Sequence, residues 1–320
     1  MIREERLINL FLDLCRINSP SLKEREVAAY VKSYLNNIGL EVSEDDAGTK
    51  CGGNANNIIA WLRGNVPSAP KIFLSAHMDT VESTENLVIE LRDDVYYSDG
   101  TTILGADDKG GLAPAIEVVQ ALKESGEPHG DICLLISIAE EIGLKGAAQV
   151  NIQDLGLDFG YVLDTGPPVG TFVNRTATHD NLTFQITGRA AHAGKEPEHG
   201  INAIQVAAEA ISGMRLGRIG PETTANIGII KGGSAVNVVC PYVEIRAEAR
   251  STSLEELEAQ TSHMIEKFET AASAWGADLT VEHFRHYSSY EVAADAPVVR
   301  HAIAASQKLG FEPRLRTTLG

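Results

Sequence analysis

The sequence is poor in basic residues. It has 27 Lys and Arg against 44 Asp and Glu, which gives a formal net charge of −17 at pH 7. A surface with this charge repels the phosphate backbone of nucleic acids and the anionic surface of membranes. We therefore expect neither a nucleic-acid partner nor a membrane partner.

Cysteine is scarce, and long apolar runs are missing. The four cysteines are widely scattered and form no C-x-x-C pair: Cys15, Cys51, Cys133 and Cys240. This pattern suits reduced thiols rather than a disulfide framework. The longest apolar runs, such as residues 132–139, fall far short of a membrane span, and the charged residues 1–7 lack the apolar core of a signal peptide. We expect a cytoplasmic location.

The chain is long enough for about two domains. Its 320 residues are 43% hydrophobic and 22% charged, which is ordinary for a globular protein. A disordered or low-complexity chain is therefore excluded, and so is a small fold that depends on disulfides or a metal for stability.

In the first half of the sequence, short apolar runs alternate with helical patterns. Ser21-Leu-Lys-Glu24 has the form of a capping box at the start of an amphipathic helix that stops at Gly39. A second helix pattern covers Gly111–Lys123. The predicted buried strands are Asn57–Leu62, Lys71–Ala76, Asp131–Ala139 and Phe159–Leu163. This order predicts an α/β layer around a largely buried sheet.

From about Asn174 the strands become longer and alternate in polarity. Predicted elements are strands Asn181–Thr187, Thr224–Ile230, Ala235–Ala249 and Asp278–Phe284, a helix Asn202–Met214 and a helix that opens with the capping box Ser253–Glu256. The second and third strands are read as a hairpin joined at Gly232-Gly233. The order β-α-β-β-α-β is that of a ferredoxin-like unit.

The closing segment returns to the α/β style, with a helix whose start is marked by Asp295 and Pro297 and which runs to Leu309, and an extended stretch from Pro313 to Leu319. We therefore predict a first domain formed by residues 1–173 and 288–320, and an inserted domain formed by residues 174–287.

A histidine and an aspartate directly follow the second predicted strand. Residues 71–76 run into His77-Met-Asp79, and the period of two along a strand directs His77 and Asp79 to the same side. Asp79 could then orient the imidazole, as carboxylates do behind histidines that bind a metal. Taken alone, a hydrogen-bonded structural pair is the simpler interpretation.

A glycine-flanked turn precedes the second predicted helix. Gly105-Ala-Asp107-Asp108-Lys109-Gly-Gly111 holds two carboxylates and a lysine where backbone can approach a ligand closely. The spacing excludes an EF-hand, whose ligands occupy alternate positions of a twelve-residue loop. A solvated turn with an aspartate as helix cap is the alternative.

Two more strands end in acidic residues. Glu140 and Glu141 follow residues 131–139, and neighbouring residues at a strand end point in opposite directions, so one can bind a metal while the other serves as a base. Asp164 follows residues 159–163. Separately, a helix-capping acidic pair and a turn residue would explain these two motifs.

Together, the four motifs predict a metal site, because open α/β sheets bind ligands at the carboxyl ends of their strands. One histidine with oxygen ligands and no cysteine suits zinc, cobalt or manganese in a two-metal hydrolytic site.

The motifs S-A-H77-M-D79-T-V, G-A-D107-D108-K109-G-G, A-E140-E141-I-G and L-D164-T-G resemble the dizinc aminopeptidase and amidohydrolase superfamily that contains peptidase T, acetylornithine deacetylase and glutamate carboxypeptidase. The D-D-K form is most similar to peptidase T-like proteins. The resemblance implies a three-layer α/β/α zinc-exopeptidase-like catalytic domain with an inserted ferredoxin-like α+β lid or dimerisation domain.

The resemblance also implies residue roles and two zinc ions per subunit. His77 resembles a ligand of the first zinc, and Asp79 resembles its orienting partner. Asp107 is similar to the bridging carboxylate, while Glu141 and Asp164 resemble terminal ligands. Glu140 resembles the general acid and base.

Three residues of the predicted insertion resemble substrate-binding positions. Gly188-Arg-Ala-Ala-His192-Ala-Gly194 is similar to the family motif whose histidine reaches the scissile carbonyl, often from the partner subunit, which implies an oxyanion donor. Asn237-Val-Val and Glu248-Ala-Arg250-Ser resemble positions that hold the carboxylate end of the substrate, and Arg250 could do so bidentately. The resemblance thus implies a short peptide substrate and a homodimer formed through the lid.

Members of this family continue beyond a strand like residues 314–319 to a last histidine that binds the second metal. The sequence ends at Gly320, and the later histidines His263, His283, His286 and His301 do not lie in that motif. We therefore expect that the sequence is a fragment or that the second metal has a poorer ligand set.

The leading prediction is a metal-dependent exopeptidase that removes the N-terminal residue of short peptides. An N-acyl amino acid deacylase or a carboxypeptidase stays open, because the metal ligands do not encode which side of the amide is recognised. A non-catalytic metal- or peptide-binding fragment is a further alternative, although it would have no need of Glu140 beside Glu141.

Overall fold

The mixed α/β organisation predicted from the sequence is confirmed in the computed structural model, which describes residues 1–320. The chain divides into two compact units, Met1–Pro167 and Pro168–Gly320. None of its helices combines the length and the apolar character that crossing a bilayer requires.

The first unit is built around one five-stranded sheet. Its elements are α1 (Glu4–Arg16), α2 (Arg25–Asn37), β1 (Glu41–Glu44), α3 (Ala47–Cys51), β2 (Ile58–Leu62), β3 (Ile72–His77), β4 (Ile89–Arg92), β5 (Val95–Ser98), α4 (Ala106–Ser125), β6 (Ile132–Ser137) and β7 (Phe159–Val162). The strand order is β1-β2-β6-β3-β7, and β4 and β5 form a separate hairpin. All four predicted strands of this unit are confirmed, with ends shifted by at most two residues.

Three neighbouring strands of this sheet run in the same direction. β3 pairs in parallel with β6 on one side, where His77 lies opposite Ser137, and with β7 on the other, where Ser75 lies opposite Val162. Every residue of β6 is buried, as expected for a strand covered on both faces. The carboxyl ends of β3, β6 and β7 therefore meet at one edge of the sheet.

The amphipathic helix predicted after the Ser21–Glu24 segment is confirmed as α2, whose buried face carries Val27, Ala28, Val31 and Leu35. The predicted capping box in front of it is wrong. No side chain caps α2. The hydroxyl of Ser21 instead donates to Oδ2 of Asp79 at 2.6 Å, and the Glu24 carboxylate accepts backbone N–H groups at 2.9 Å from Leu22 and from the distant Ala139.

The second predicted helix is confirmed as α4 and begins earlier than expected. It includes Asp107 and Asp108, whose backbone angles are not helical, and the peptide bond between them is cis. Gly126 follows the helix in the left-handed conformation that favours glycine at a helix end. The sequence analysis did not predict α1, which packs against α4 and buries Leu10 and Leu14.

The second unit contains a five-stranded antiparallel sheet with two helices packed on it. Its elements are β8 (Thr171–Thr176), β9 (Thr178–Thr187), α5 (Ala203–Ser212), β10 (Gly217–Gly220), β11 (Thr223–Gly232), β12 (Tyr242–Ser251), α6 (Leu254–Trp275), β13 (Asp278–Tyr287), α7 (Pro297–Lys308) and β14 (Arg314–Thr318). The sheet order is β10-β11-β12-β9-β13. The predicted β-α-β-β-α-β order is present, with β10 as an added short edge strand.

Two local predictions in this unit differ in outcome. Ser253 caps α6 by accepting the backbone N–H of Glu256, as the capping box predicts. The hairpin is confirmed, since β11 pairs antiparallel with β12, but its connection is longer than Gly232-Gly233 because β12 begins only at Tyr242. The intervening residues pair elsewhere: Val239 donates to the carbonyl of Ala191 at 2.9 Å.

The closing helix and strand are present as α7 and β14. β14 pairs in parallel with β8, and both lie in the second unit. The assignment of residues 1–173 and 288–320 to one domain and of residues 174–287 to an inserted domain stays a prediction.

Candidate metal centre

The parallel strand ends of the first unit bring together three of the four predicted metal motifs. His77 is the last residue of β3, Glu140 follows β6 and Asp164 follows β7. The start of α4 adds the fourth motif through Asp107. Nε2 of His77 lies 3.2 Å from Asp107 Oδ1, 3.7 Å from Glu140 Oε2 and 3.9 Å from Asp164 Oδ2.

The donor set at this edge fits a divalent cation. One ligand atom each from His77, Asp107 and Asp164 lies within 4.8 Å of the others. Burial and the neighbouring negative charge of Asp107 raise the pKa of Asp164. A cation would relieve that repulsion, and one imidazole with carboxylate oxygens suits zinc, cobalt or manganese.

Asp79 fixes the orientation of the His77 ring. Nδ1 of His77 lies 3.0 Å from the backbone oxygen of Asp79 and 3.4 Å from its Oδ1, so Nε2 faces the other acidic groups. Burial alone would lower the pKa of His77, but the contacts with Asp79 and the charges of Glu140 and Asp164 outweigh it and raise that pKa to about 9. His77 and the Asp79 carboxylate are thus in contact, while the orienting role of Asp79 stays a prediction.

Side chains from three distant segments hold the loop that carries the two glutamates. In this segment, which we call the 138–141 loop, Ile138 N–H donates to Asn57 Oδ1 at 3.0 Å and Ala139 N–H donates to Glu24 Oε1 at 2.9 Å. The next two N–H groups, of Glu140 and Glu141, donate to the two oxygens of Asp79 at 2.9 and 3.1 Å. Four consecutive backbone donors therefore have side-chain acceptors.

The environment of Glu140 suits an acid and base group. Burial raises its pKa to about 7; the charges of Asp164, Glu141 and Asp79 act in the same direction, and that of His77 opposes them. Burial and the charge of Asp107 also raise the pKa of Glu141. A carboxyl group with a pKa near the working pH can both accept and return a proton.

Asp108 and Lys109 of the same motif are buried supports. The Asp108 carboxylate accepts the N–H groups of Gly111 at 3.0 Å and His77 at 3.4 Å, and burial together with the charge of Asp164 raises its pKa to about 8. The fully buried Lys109 donates to Ser19 Oγ at 2.8 Å and to the carbonyl of Met78. Neither side chain is in the metal-capable group.

Sequence reasoning missed three supporting residues of this site, Ser21, Glu24 and Asn57. Ser21 and Glu24 carried a signal, the S-x-x-E pattern, but it was interpreted as a helix cap. Asn57 sits at the start of a predicted strand and carries no motif; its amide also donates to Asp45 Oδ2 at 2.6 Å and to the carbonyl of Gly146 at 2.8 Å.

The predicted substrate residues lie in the second unit. His192 and Asn237 belong to two segments that pair through an isolated bridge between His192 and Val238, and Ala193 N–H donates to the carbonyl of Asn237 at 3.0 Å. His192 is exposed. The structure therefore brings the His192 and Asn237 segments together.

Arg250 lies on β12 and is already engaged. Its Nη2 and Nε lie 2.9 and 3.3 Å from Glu248 Oε2, and its Nη1 donates to the carbonyl of Leu319 at 3.0 Å. Glu248 Oε2 also lies 3.0 Å from Nε2 of the buried His179. The bidentate edge of the guanidinium is thus occupied by a carboxylate of the same strand.

Two family models match the chain. Residues 175–276 match the M20 peptidase dimerisation domain, and residues 57–162 match peptidase family M28. The first match covers most of the antiparallel sheet with α5 and α6. The second contains His77, Asp107 and the 138–141 loop.

Known proteins resemble the chain over its whole length. The uncharacterized protein YqjE of Bacillus subtilis is 40% identical over 320 residues, covering 100% of this chain and 86% of that protein. A tripeptidase structure from Staphylococcus aureus superposes with a TM-score of 0.95 at 40% identity, and an aminopeptidase PepT structure from Bacillus cereus superposes with a TM-score of 0.91 at 40% identity. Each match covers 100% of this chain and 86% of the other.

Proposed function

The chain belongs to the M20 peptidase family as a peptidase T-like member, and from that membership we propose that it is a metal-dependent aminopeptidase that removes the N-terminal residue of short peptides, in particular tripeptides. The observation that carries the proposal is the convergence of His77, Asp107 and Asp164 with Glu140 at one edge of the sheet. A cytoplasmic location is proposed from the four free thiols.

We assign the metal ligands to His77, Asp107, Glu141 and Asp164, which would hold two zinc ions, with cobalt or manganese as alternatives. A bound divalent ion supplies Lewis-acid polarisation of the scissile carbonyl and lowers the pKa of water. Asp79 keeps the His77 ring turned so that Nε2 faces this site, and His77 contributes to it as a ligand.

Glu140 is proposed as the proton carrier of the reaction. Its carboxylate takes a proton from the attacking water and passes that proton to the leaving amine as the peptide bond breaks. A pKa of about 7, raised by burial, supports both steps near neutral pH. The hydrogen bond from the backbone N–H of Glu140 to the Asp79 carboxylate keeps the Glu140 carboxylate in place during the proton transfer.

The second unit is proposed to recognise the substrate and to form a homodimer. His192 would donate a hydrogen bond to the oxyanion, and Asn237 and Arg250 would hold the carboxylate end of the peptide. A carboxylate bound to the bidentate edge of Arg250 would displace Glu248, which occupies that edge. The match of residues 175–276 to a peptidase dimerisation domain supports the dimer.

The test is release of free amino acid from an unblocked tripeptide by the protein loaded with zinc or cobalt. A chelator-treated sample and an N-acetylated tripeptide are measured in parallel. Cleavage of the free peptide alone, lost with chelator, is the expected result. Cleavage of the acetylated peptide instead would favour the deacylase alternative, and no cleavage of either would contradict an enzymatic role.

Glu140→Gln sharpens this test, because it removes the proton acceptor while keeping the shape of the side chain. We expect kcat to fall by about 10²–10⁴ with zinc binding retained in calorimetry. Glu127→Gln, an exposed glutamate after α4, is the matched control and should keep wild-type kcat. Unchanged turnover in Glu140→Gln would remove Glu140 from the mechanism.

A further inference from the structure

The S-x-x-E segment in front of α2 is bound to the site rather than to its helix. Ser21 donates to Asp79 Oδ2 at 2.6 Å. Glu24 Oε1 accepts from Leu22 N–H and from Ala139 N–H, both at 2.9 Å, and Ala139 is 115 residues away in the sequence. Ser21 therefore contacts Asp79, whose carboxylate supports the 138–141 loop, and Glu24 contacts the loop itself.

Glu24 holds two residues in an uncommon backbone conformation. Leu22 has a φ of 70° and Ala139 a φ of 51°, in the left-handed region that residues other than glycine rarely adopt. Such residues persist only where the surroundings fix them. The N–H groups of both are bound by the same carboxylate oxygen, so Glu24 fixes the turn before α2 to the loop after β6.

The Glu24 carboxyl group is buried with only one of its two oxygens hydrogen-bonded to other residues. Its relative exposure is 0%, and Oε2 has no hydrogen-bond partner in the protein. Burial raises its pKa. A buried carboxyl group costs free energy unless its hydrogen bonds compensate, and α2 takes no cap from it. What this side chain provides is an acceptor for Ala139, the residue directly before Glu140.

We propose that Glu24 is a positioning residue for the reaction, which acts by accepting the backbone N–H of Ala139 and so fixing where the neighbouring Glu140 presents its carboxylate. This inference rests on the proposed function of Glu140. Asp79 fixes the Glu140 and Glu141 amides, and Glu24 fixes the left-handed turn that leads into them. Loss of either support would let the base move away from the position in which proton transfer is efficient.

Two conservative substitutions separate an acceptor role from a charge role. Glu24→Gln keeps an acceptor oxygen at the same reach and loses the charge. Glu24→Asp keeps the charge but is one methylene too short to reach Ala139 N–H. We expect kcat to fall by about 30-fold or more in Glu24→Asp with KM little changed, and to stay within about threefold of wild type in Glu24→Gln.

The matched control is Glu117→Asp. Glu117 is also a buried carboxylate of the first unit, and it accepts from Arg6 and from the backbone N–H of Arg3 rather than from the site. The same shortening there changes packing and an ion pair without changing the 138–141 loop. We expect its kcat within about twofold of wild type, because changes at independent sites do not couple.

Hydrogen exchange of the metal-free proteins gives a readout that does not depend on turnover. We expect faster exchange of the amides of residues 138–141 in Glu24→Asp, with wild-type exchange there in Glu24→Gln and Glu117→Asp. Because this arm needs no peptide cleavage, it tests the positioning of the loop even if the wild type proves inactive, and the two proposals can fail separately.

The inference is overturned if Glu24→Asp keeps kcat and loop exchange near wild-type values. It is also overturned if Glu24→Gln loses as much activity as Glu24→Asp, because the effect would then depend on the charge of Glu24 and not on its hydrogen-bond acceptor. An equal fall in kcat in Glu117→Asp would also overturn it, because the fall in Glu24→Asp would then reflect general destabilisation of the protein.

Discussion

Oδ1 of Asp79 lies 2.9 Å from the backbone nitrogen of Glu140, and the same oxygen lies 3.4 Å from Nδ1 of His77. One fully buried carboxylate thus contacts both the imidazole of the site and the backbone of its proposed base. Burial would raise the pKa of Asp79, but the bonds from His77, Ser21 and Glu140 prevail and lower it to about 2. Asp79 is therefore an anionic acceptor throughout the range in which the protein would work.

Asp79→Asn should disturb both contacts. An amide replaces one oxygen by an NH₂ group, which cannot accept the N–H groups that the carboxylate now binds. We expect zinc affinity to fall about 10- to 100-fold and kcat to fall by a similar factor, measured by calorimetry and peptide cleavage. Asp158→Asn is the control, since Asp158 accepts the N–H of Lys71 at 2.8 Å just before β3, away from the motifs of the site. Equal effects in both variants would contradict a special role for Asp79.

Replacing each of two adjacent glycines of α4 by alanine should change the stability of the protein in opposite directions. A Cβ at Gly110 meets nothing within 4 Å, whereas a Cβ at Gly111 would collide with the carbonyl of Leu163 and the carboxylate of Asp108. Gly110→Ala should stabilise the protein by up to about 1 kcal/mol through helix propensity. Gly111→Ala should destabilise it by about 2–3 kcal/mol.

Thermal unfolding of both alanine variants checks this contrast. Because Leu163 directly precedes Asp164, we also expect Gly111→Ala to lose peptide cleavage and Gly110→Ala to keep it. Similar unfolding midpoints for the two variants would show that the helix can shift away from Leu163 at no cost.

Asp180 in the second unit should make stability depend on pH. Its fully buried carboxylate accepts from Arg285 at 2.9 and 3.2 Å and lies 2.8 Å from His283 Nε2. Burial would raise its pKa, but these partners outweigh it and the pKa is lowered. The folded state therefore binds this proton less readily than the unfolded chain. Its stabilisation is complete above the ordinary aspartate pKa of about 3.9 and is lost as the pH falls below it.

We expect Asp180→Asn to cost about 1.5 kcal/mol at pH 7 and less at pH 3.5, where the Asp180 carboxyl of the unfolded wild-type chain is becoming protonated while that of the folded protein keeps its charge. Urea unfolding at both values measures the difference. Asp278→Asn, at the exposed start of β13, should show no such change. A cost for Asp180→Asn that is the same at both pH values would exclude the ionised form as its source.

The sequence was a good guide to the sheet and to the residues at its edge. Apolar runs such as residues 132–137 mark a buried strand by themselves, and the chemistry of His77 or Asp164 is visible because each directly follows such a run. The supports of the site were not visible in this way. Glu24 and Asn57 act on backbone groups far along the chain, and no local pattern records a side chain that bonds to the N–H of a distant residue.

Two errors in the predicted local structure have the same origin. Gly232-Gly233 has the local form of a short hairpin connection, but the chain runs on, and residues 237–239 pair with the segment that contains Ala191 and His192. Ser21-x-x-Glu24 has the local form of a helix cap, but the Ser21 hydroxyl donates to Asp79 and the Glu24 carboxylate accepts the N–H of Ala139. Tertiary hydrogen bonds displaced a local preference in both places.

The pairing of the 138–141 loop also bears on the order of folding. Its four donors bind acceptors that lie 81, 115, 61 and 62 residues earlier in the chain. Contacts across such separations form late, because the entropy of closing a long loop must be overcome first. All three acceptor residues leave the ribosome before the loop does. The loop therefore reaches its working shape only when the first unit is complete, and an intermediate with its sheet formed but residues 19–24 undocked would lack a positioned Glu140.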